Sequence, residues 1–190
     1  MKYLEVVTPN TTQIVSTADL KTHLRITFSD DDSYIDSLEA AAVGMVEEFT
    51  NRFLLETAVT QYGNTFGDLE ILFKSPAHSG SERVYYMNDG AWVLLLISLT
   101  EFVYAIEPAR LYSRATASIP TADDVFEAWK VNYTVGYASA ADIPSALIQA
   151  IKIIVSDFYE NRQSVIVGKI ASEIPRTAQY LMNPYKVQTL

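Results

Sequence analysis

Residues 142–162, DIPSALIQAIKIIVSDFYENR, decide the fold because they predict a helix that is apolar over most of its surface. Asp142 is placed to cap the N-terminus, and Pro144 is expected in the first turn, where its missing N–H is tolerated. Apolar side chains recur at helical spacing along one stripe, at Leu147, Ile151, Ile154 and Phe158. Only a narrow polar strip remains, so we expect the helix to be covered by its own domain, with a neighbouring subunit as a second candidate cover.

The composition excludes several classes of protein. The formal net charge is −9 over 190 residues, and the 14 Lys plus Arg are scattered, which argues against a protein that grips nucleic acid by neutralising phosphates. The absence of cysteine excludes disulfides and thiolate metal sites. No apolar run approaches the roughly 20 residues of a membrane span, and the N-terminus lacks the apolar core of a signal peptide. We therefore expect no membrane association and synthesis in the cytoplasm.

The chain divides by its periodicity into five segments of a single predicted domain. Residues 1–15 suit an extended arm, residues 16–54 follow helical spacing, and residues 55–137 are β-rich. The central helix occupies residues 142–162, and a C-terminal segment covers residues 163–190, with a short helical pattern from Pro175. Helices thus flank strands in sequence. The pattern predicts an α+β fold in which a small antiparallel sheet is inserted into a helical core.

The β-rich segment carries two clear strand signals. A hairpin is expected where residues 84–87 meet residues 91–97 across Asn88-Asp89-Gly90, since Gly90 can adopt a positive φ. The strand Trp129–Val135 alternates, with its apolar side chains on one face and Lys130, Asn132 and Thr134 on the other. Strands are also expected over residues 69–73 and around Arg110-Leu111-Tyr112. Several tyrosines of this segment suit either a subunit interface or a half-buried sheet: Tyr62, Tyr85, Tyr86, Tyr104 and Tyr112.

Acidic residues open and line the second predicted helix. Asp30, Asp31 and Asp32 suit a helix start, where carboxylates complement the helix dipole, better than a calcium loop, because a loop starting at Asp30 would place apolar residues at ligand positions. The helix is expected to end near Asn51, with Glu39 on its solvent-exposed side.

These segments, in this order and spacing, resemble the head-tail connector (adaptor) family of tailed bacteriophages, prophages and gene transfer agents. The resemblance covers nearly the whole chain. It rests on Asp30-Asp31-Asp32-Ser33-Tyr34-Ile35, Ala40-Ala41-Ala42, Thr50-Asn51-Arg52, Asp89-Gly90, Val135-Gly136-Tyr137, Ile143-Pro144, Tyr159-Glu160-Asn161-Arg162, Ile174-Pro175 and Pro184-Tyr185-Lys186. Asn51 stands where the family usually has glycine, and asparagine also tolerates the left-handed conformation of a helix C-cap.

The resemblance implies a structural protein of the virion neck, assembled in the host bacterial cytoplasm. Copies would form a homo-oligomeric ring, usually dodecameric, beneath the portal protein, and a protomer can be monomeric in isolation. A tail-side stopper or tail completion protein would bind the other end of the ring. Genomic double-stranded DNA would pass through the channel without sequence-specific binding, and an acidic wall would repel its phosphates.

The candidate contacts with the portal or with neighbouring subunits are Tyr159, Arg162, Pro184, Tyr185 and Lys186. The C-terminal segment of the family typically reaches towards the portal, so we expect deletion of residues 183–190 to leave the fold intact and to abolish docking. Tyr159 and Arg162 equally suit an ordinary helix end, where arginine lies beside the last carbonyl groups.

No catalytic constellation is found, and neither enzyme activity nor a cofactor or metal is expected. The sequence has no Gly-x-Ser-x-Gly elbow and no phosphate-binding glycine loop, and its only histidines are His23 and His78. The alternative that stays open is a small cytoplasmic ligand-binding or regulatory module with a pocket in the β-rich region.

Overall fold

The computed structural model of the chain describes residues 3–8, 10–70, 82–96, 99–103, 109–114, 118–161 and 174–187. Its helices are α1 (Thr17–Leu24), α2 (Asp32–Thr50), α3 (Ser145–Glu160) and α4 (Arg176–Met182). Its strands are β1 (Tyr3–Thr8), β2 (Thr57–Gly63), β3 (Arg83–Asn88), β4 (Ala91–Leu94), β5 (Thr100–Val103), β6 (Arg110–Ser113) and β7 (Trp129–Val135). No helix within these described ranges is long and apolar enough to cross a membrane.

The chain forms two compact units, each built from separate stretches of sequence. The helical unit comprises residues 11–54 and 139–186, and the sheet unit comprises residues 1–10, 55–138 and 187–190. Helices and an antiparallel sheet inserted between them in sequence confirm the predicted α+β class. That the chain acts as one connector domain stays a prediction.

Helix α3 is the core of the helical unit, packed by α1, α2 and α4. Its fully buried positions are Leu147, Ala150, Ile151, Ile154 and Val155, which confirms the wide apolar arc. The predicted start of the helix was wrong. Pro144 is the N-cap rather than a first-turn residue, with a non-helical ψ of 131°, because the residue before a proline is biased to extended backbone and Ile143 follows that bias. Asp142 lies in the preceding 3₁₀ turn and accepts a hydrogen bond from the Ser139 hydroxyl.

Helix α2 ends as the sequence predicts and begins differently. Asn51 adopts the left-handed conformation, with φ of 55°, and its N–H bonds the carbonyls at the end of the helix. At the other end, Asp31 occupies the N-cap position without a side-chain capping hydrogen bond. Asp31 instead accepts a hydrogen bond from the Tyr159 hydroxyl, and Asp32 forms an ion pair with Lys21 at 2.7 Å. The acidic run therefore fastens neighbouring helices of this unit.

Glu39 is buried, contrary to its predicted place on the exposed side of α2. It is only 4% exposed, and its Oε1 accepts hydrogen bonds from the backbone N–H of Ile14, at 2.9 Å, and of Val15, at 3.1 Å. Burial raises the pKa of Glu39; the two N–H donors oppose this rise, and the nearby Asp36 adds to it. Periodicity failed here because the acceptor role of Glu39 depends on the backbone N–H groups of Ile14 and Val15, which lie 25 and 24 residues away in sequence.

The sheet unit is organised around β7. Five strands lie in the order β1-β2-β7-β3-β4, with antiparallel pairing between each neighbouring pair. The predicted β3–β4 hairpin is present, and both turn residues have positive φ, 51° at Asp89 and 73° at Gly90, as a two-residue turn that matches the strand twist requires. Strand β4 ends at Leu94, so the predicted strand was too long at Leu95 and Leu96, and its last predicted residue, Ile97, lies outside the described residues.

The inner face of this sheet is its core. The buried side chains on this face alternate along the strands as predicted: Val59, Gln61, Val84, Trp129, Val131, Tyr133 and Val135. Gly136 ends β7 with φ of 99°, and a Cβ there would meet the Leu55 carbonyl oxygen at 2.2 Å, so only glycine fits.

Two further predictions in this unit meet different outcomes. Leu69 closes a 3₁₀ turn, Phe66–Leu69, rather than opening a strand, because the Thr65 and Asp68 side chains form a capping box around that turn. Residues 71–73 of the same predicted strand lie outside the described residues. The predicted strand around Arg110-Leu111-Tyr112 is confirmed as β6, which pairs with β5 in a second, two-stranded sheet.

Candidate interaction surfaces

The C-terminal segment is fixed within the helical unit through the end of α2. After α4, residues Asn183–Tyr185 form a 3₁₀ turn. Arg52, which is 5% exposed, donates from Nε to the Tyr185 carbonyl at 2.5 Å, and Lys186 Nζ lies 5.0 Å from the centroid of the Phe49 ring. Deleting residues 183–190 would therefore remove a hydrogen-bond acceptor of a buried arginine, so a test of docking needs single substitutions instead.

The same segment also has an exposed surface, which we name the C-terminal surface. It consists of Tyr180, Pro184 and Lys186. Tyr180 is 74% exposed, the most exposed of the large apolar side chains described. It was missed as a candidate contact. The signal was available, because Ala178 and Met182 are buried on α4 and a residue midway between them points to the opposite side of the helix. Tyr185 is half-buried.

Tyr159 is occupied inside the helical unit, where it joins α3 to the start of α2. Its hydroxyl donates to Asp31 Oδ2, and its ring lies 6.2 Å from that of Tyr34. It is half-buried rather than exposed. Arg162, the other candidate at this helix end, lies outside the described residues. Of the predicted contacts, Pro184, Tyr185 and Lys186 thus lie together in the C-terminal segment. Tyr159 lies apart from them in sequence and links α3 to α2 through its hydrogen bond to Asp31.

The outer face of the sheet carries an aromatic belt, defined by Tyr3, Tyr62, Tyr85, Trp92, Leu94 and Lys130. The register sets Tyr3, Tyr62, Lys130, Tyr85 and Leu94 in one row across all five strands. The Tyr3 and Tyr62 rings stack 4.9 Å apart, and Trp92 meets Tyr62 edge-on at 6.5 Å. Lys130 Nζ lies 4.2 Å from the Trp92 centroid and 5.2 Å from that of Tyr85, within cation–π range.

The electrostatics of the belt depend on one carboxylate and one ammonium. The Tyr62 hydroxyl donates to Glu5 at 3.0 Å, and partial burial, with this bond and the negative charge, raises the pKa of Tyr62 to about 12. Burial among the rings lowers the pKa of Lys130, an effect that the nearby Glu5 partly offsets. Lys130 forms no ion pair within 4 Å in the part of the chain that the structure describes. The belt is therefore an aromatic surface with one cation, Lys130, at its centre and the carboxylate of Glu5 near it.

The predicted interface tyrosines divide between the two faces. Tyr62 and Tyr85 lie on the belt, whereas Tyr86 faces the inner side, 5.7 Å from the Trp129 ring. Tyr112 is 41% exposed on β6, and Tyr104 lies outside the described residues. The contacts of Trp92 with Lys130 and of Tyr3 with Tyr62 were missed from the sequence, although the outward direction of Lys130 followed from the alternation of β7.

A loop of the sheet unit projects three residues into solvent, Asp124, Val125 and Phe126, which we name the tip. Asp123 holds one end, because its carboxylate accepts from the backbone N–H groups of Asp89 and Gly90 at 3.2 and 2.9 Å. The other end is held by Glu127, which accepts from the Tyr3 hydroxyl and donates its N–H to Asn64. Val125 is 50% and Phe126 61% exposed. Two apolar side chains are thus displayed on a loop that is fixed at both ends.

No metal centre is found in the described residues, and a small cavity lies in the sheet unit. No group of three or more His, Cys, Asp or Glu side chains within them could hold a metal ion. A cavity of about 290 Å³ lies beside β3 and β4, lined chiefly by Val84, Leu94, Leu95, Leu96 and Phe102, with Glu82, Arg83 and Thr100 as its polar members. This volume is at the lower limit for a small-molecule site.

The described residues thus present three exposed surfaces, the C-terminal surface, the belt and the tip. Residues 15–72 match the sequence profile of the Phage gp6-like head-tail connector proteins. The match confirms the resemblance to head-tail connectors over the region that contains α1, α2 and β2. Among curated proteins, no sequence matches this chain.

The fold is shared with solved structures of gene transfer agent particles. A chain of the virion of a native gene transfer agent particle matches with a TM-score of 0.77 at 17% identity, covering 98% of this chain and 96% of its own. A chain from the neck of the empty particle, computed with C6 symmetry, matches at 0.75 and 18%, covering 99% and 97%. One from the neck of the native particle, computed with C12 symmetry, matches at 0.71 and 16%, also covering 99% and 97%. The likeness extends over the whole fold.

Proposed function

We propose that this chain is the head-tail connector of a tailed phage or related particle, where its copies form a ring of twelve in the neck. The observation that carries the proposal is that residues 15–72 match the connector family while the complete fold matches chains of gene transfer agent necks, one of them computed with C12 symmetry. A ring repeats one contact between two different patches of each protomer. The sheet unit has two such patches, the belt and the tip.

The ring joins the portal protein on one side and a tail-side stopper or tail completion protein on the other, and it extends the channel for genomic DNA. The net charge of −9 supports passage rather than binding, because an acidic wall repels phosphate. The role is non-enzymatic. Protomers are synthesised and assembled in the host cytoplasm before they enter the virion neck.

We assign the portal contact to the C-terminal surface. Tyr180 and Pro184 offer apolar contact area, and Lys186 offers a cation beside them, the kind of mixed surface that forms the centre of many interfaces. The predicted contacts Tyr159 and Tyr185 support this surface from within the helical unit: Tyr185 holds the segment to Arg52, and Tyr159 fixes α3 to α2.

The proposal is tested with the full chain and the portal protein of the same particle, by light scattering and negative-stain imaging. Rings seated on the portal are expected. Tyr180→Ala and Lys186→Glu should each weaken portal binding by about tenfold, whereas Glu48→Lys, an exposed charge change on α2, should leave it unchanged. A monomer that ignores the portal and is stabilised by a metabolite would favour the ligand-binding alternative.

A further inference from the structure

We infer that the aromatic belt of one copy receives the tip of the next copy, so that Asp124 pairs with Lys130 and Phe126 packs among the belt rings. The inference rests on the proposed ring and names the contact that closes it. It draws on three independent features of the sheet unit: the exposure of the belt, the fixed display of the tip, and the opposite charges of the two surfaces.

The belt is an apolar surface that lacks a full cover. Tyr3 and Trp92 are each 36% exposed and Leu94 is 50% exposed, and all three lie on the edge strands β1 and β4. Exposed aromatic clusters of this kind mark interaction sites. Tyrosine and tryptophan add large contact area at a small cost in side-chain entropy, which suits them to interface centres.

The tip is suited to bind such a surface, because it displays apolar side chains on a backbone that is held at both ends. Its two ends are held by five hydrogen bonds of Asp123 and Glu127, made by their carboxylates and backbone N–H groups, so little conformational freedom is lost when the tip docks. Between these anchors, Phe126 and Val125 face solvent. A loop built only to connect strands has no need of two exposed apolar side chains on a fixed backbone.

The charges of the two surfaces favour the tip, rather than another apolar patch, as the partner that binds the belt. Lys130 is the cation at the centre of the belt, and Asp124 is the exposed carboxylate next to the apolar residues of the tip. Neither side chain has an ion-pair partner within 4 Å among the described residues. In a chain of net charge −9, contact between copies needs a local attraction of this kind to overcome repulsion.

The geometry also suits ring closure. A ring requires a heterologous contact, in which each copy uses its tip on one neighbour and its belt on the other. The two surfaces adjoin within a protomer, because Tyr3 of the belt donates a hydrogen bond to Glu127 at the end of the tip, so ring formation on the portal is the measurement that separates this contact from a two-fold pairing of both surfaces. A self-complementary patch would instead stop at a dimer.

The experiment exchanges the two charges and measures ring formation on the portal. Lys130→Glu alone and Asp124→Lys alone are each expected to raise the concentration needed for half-maximal assembly by about tenfold or more, as coupling energies of close interfacial charges imply. The double variant, which restores the pair with reversed signs, should return to within about threefold of the parent chain. Phe126→Ala should weaken assembly even with both charges intact. Urea unfolding of each variant verifies that the fold is kept.

Cross-linking identifies the occupant. Because the chain has no cysteine, Asp124→Cys and Lys130→Cys proteins can be mixed on the portal and treated with a short bismaleimide. Dimers containing one copy of each variant are expected, above the level obtained when Glu48→Cys replaces Asp124→Cys. Rings that form normally in all charge variants, or links from Lys130→Cys to the portal, would overturn the inference and leave the connector function standing. Failure of the parent chain to form rings would overturn both.

Discussion

Helix α2 of the helical unit and the outer face of the sheet unit use their side chains differently. In the helical unit, acidic residues of α2 turn back onto their own chain: Glu39 accepts from Ile14 and Val15, and Glu47 accepts from the Leu54 N–H at 2.7 Å. In the sheet unit, aromatic residues of the outer face are directed to solvent. The difference indicates that the helical unit stabilises its own fold with polar groups, while the sheet unit keeps apolar surface available for contact.

The largest effect on stability is therefore expected in the helical unit, at Glu39. Replacing Glu39 with leucine keeps the volume but leaves two backbone N–H groups without their acceptor, which should lower the free energy of unfolding by about 2–4 kcal/mol. Urea denaturation measures this change. Glu48→Leu, an exposed site on the same helix, should change stability by less than about 0.5 kcal/mol, and equal effects at the two sites would contradict the role given to Glu39.

Glu39→Gln separates the hydrogen bonds from the charge. The amide oxygen still accepts from both N–H groups, so the loss should stay within about 1 kcal/mol. Since the pKa of Glu39 is raised, the folded chain keeps this proton at pH values where the unfolded chain has released it. Rising pH above the ordinary value of 4.5 should therefore destabilise the parent chain relative to the glutamine variant. A parent chain that gains stability relative to Glu39→Gln over this range would show that the N–H donors outweigh burial.

The next comparison sets the two faces of the sheet against each other. Tyr133 is buried on the inner face and donates to Gln61 Oε1 at 3.0 Å, so Tyr133→Phe should cost about 1.5 kcal/mol of unfolding free energy. Tyr85 lies on the belt, and its hydroxyl has no hydrogen bond within the described residues. Tyr85→Phe should change stability by less than about 0.5 kcal/mol in the same urea titration. A larger loss at Tyr85 would assign the belt to the core of the protomer.

A smaller effect is expected at Tyr159, the predicted contact that the structure gives an internal partner. Tyr159→Phe removes the hydrogen bond to Asp31 and should lower stability by about 1 kcal/mol, because the site is only half-buried. Portal binding should be unchanged, in contrast to Tyr180→Ala. Weakened portal binding by Tyr159→Phe with unchanged stability would restore Tyr159 as a direct contact.

The sequence predicts regular elements well and surfaces less well. Periodicity located α2, α3 and β7 because apolar side chains at a period of 3.6 or 2 are required wherever one face is buried. Glu39 and the start of α3 were misplaced because each depends on a distant or neighbouring backbone group that no spacing rule encodes. Trp92 was missed because it meets Lys130 across an intervening strand, a contact that exists only once the register is known.

The smallest expected effect is on the belt, where the test measures the pKa of a single hydroxyl group, that of Tyr62, rather than the stability of the fold. With its pKa raised to about 12, Tyr62 keeps its hydroxyl proton above the ordinary value of 10, and the stability due to its hydrogen bond to Glu5 is present below pH 10 and lost as pH rises through about 12. Absorbance titration of the parent chain minus Tyr62→Phe isolates this group. Glu5→Gln should lower the pKa only in part, because burial, the larger cause of the rise, stays while the hydrogen bond to a carboxylate and its negative charge are removed. A pKa that stays near 12 without this carboxylate would assign the shift to burial beneath Tyr3, and would mean that the rings of the belt exclude water even without a partner on them.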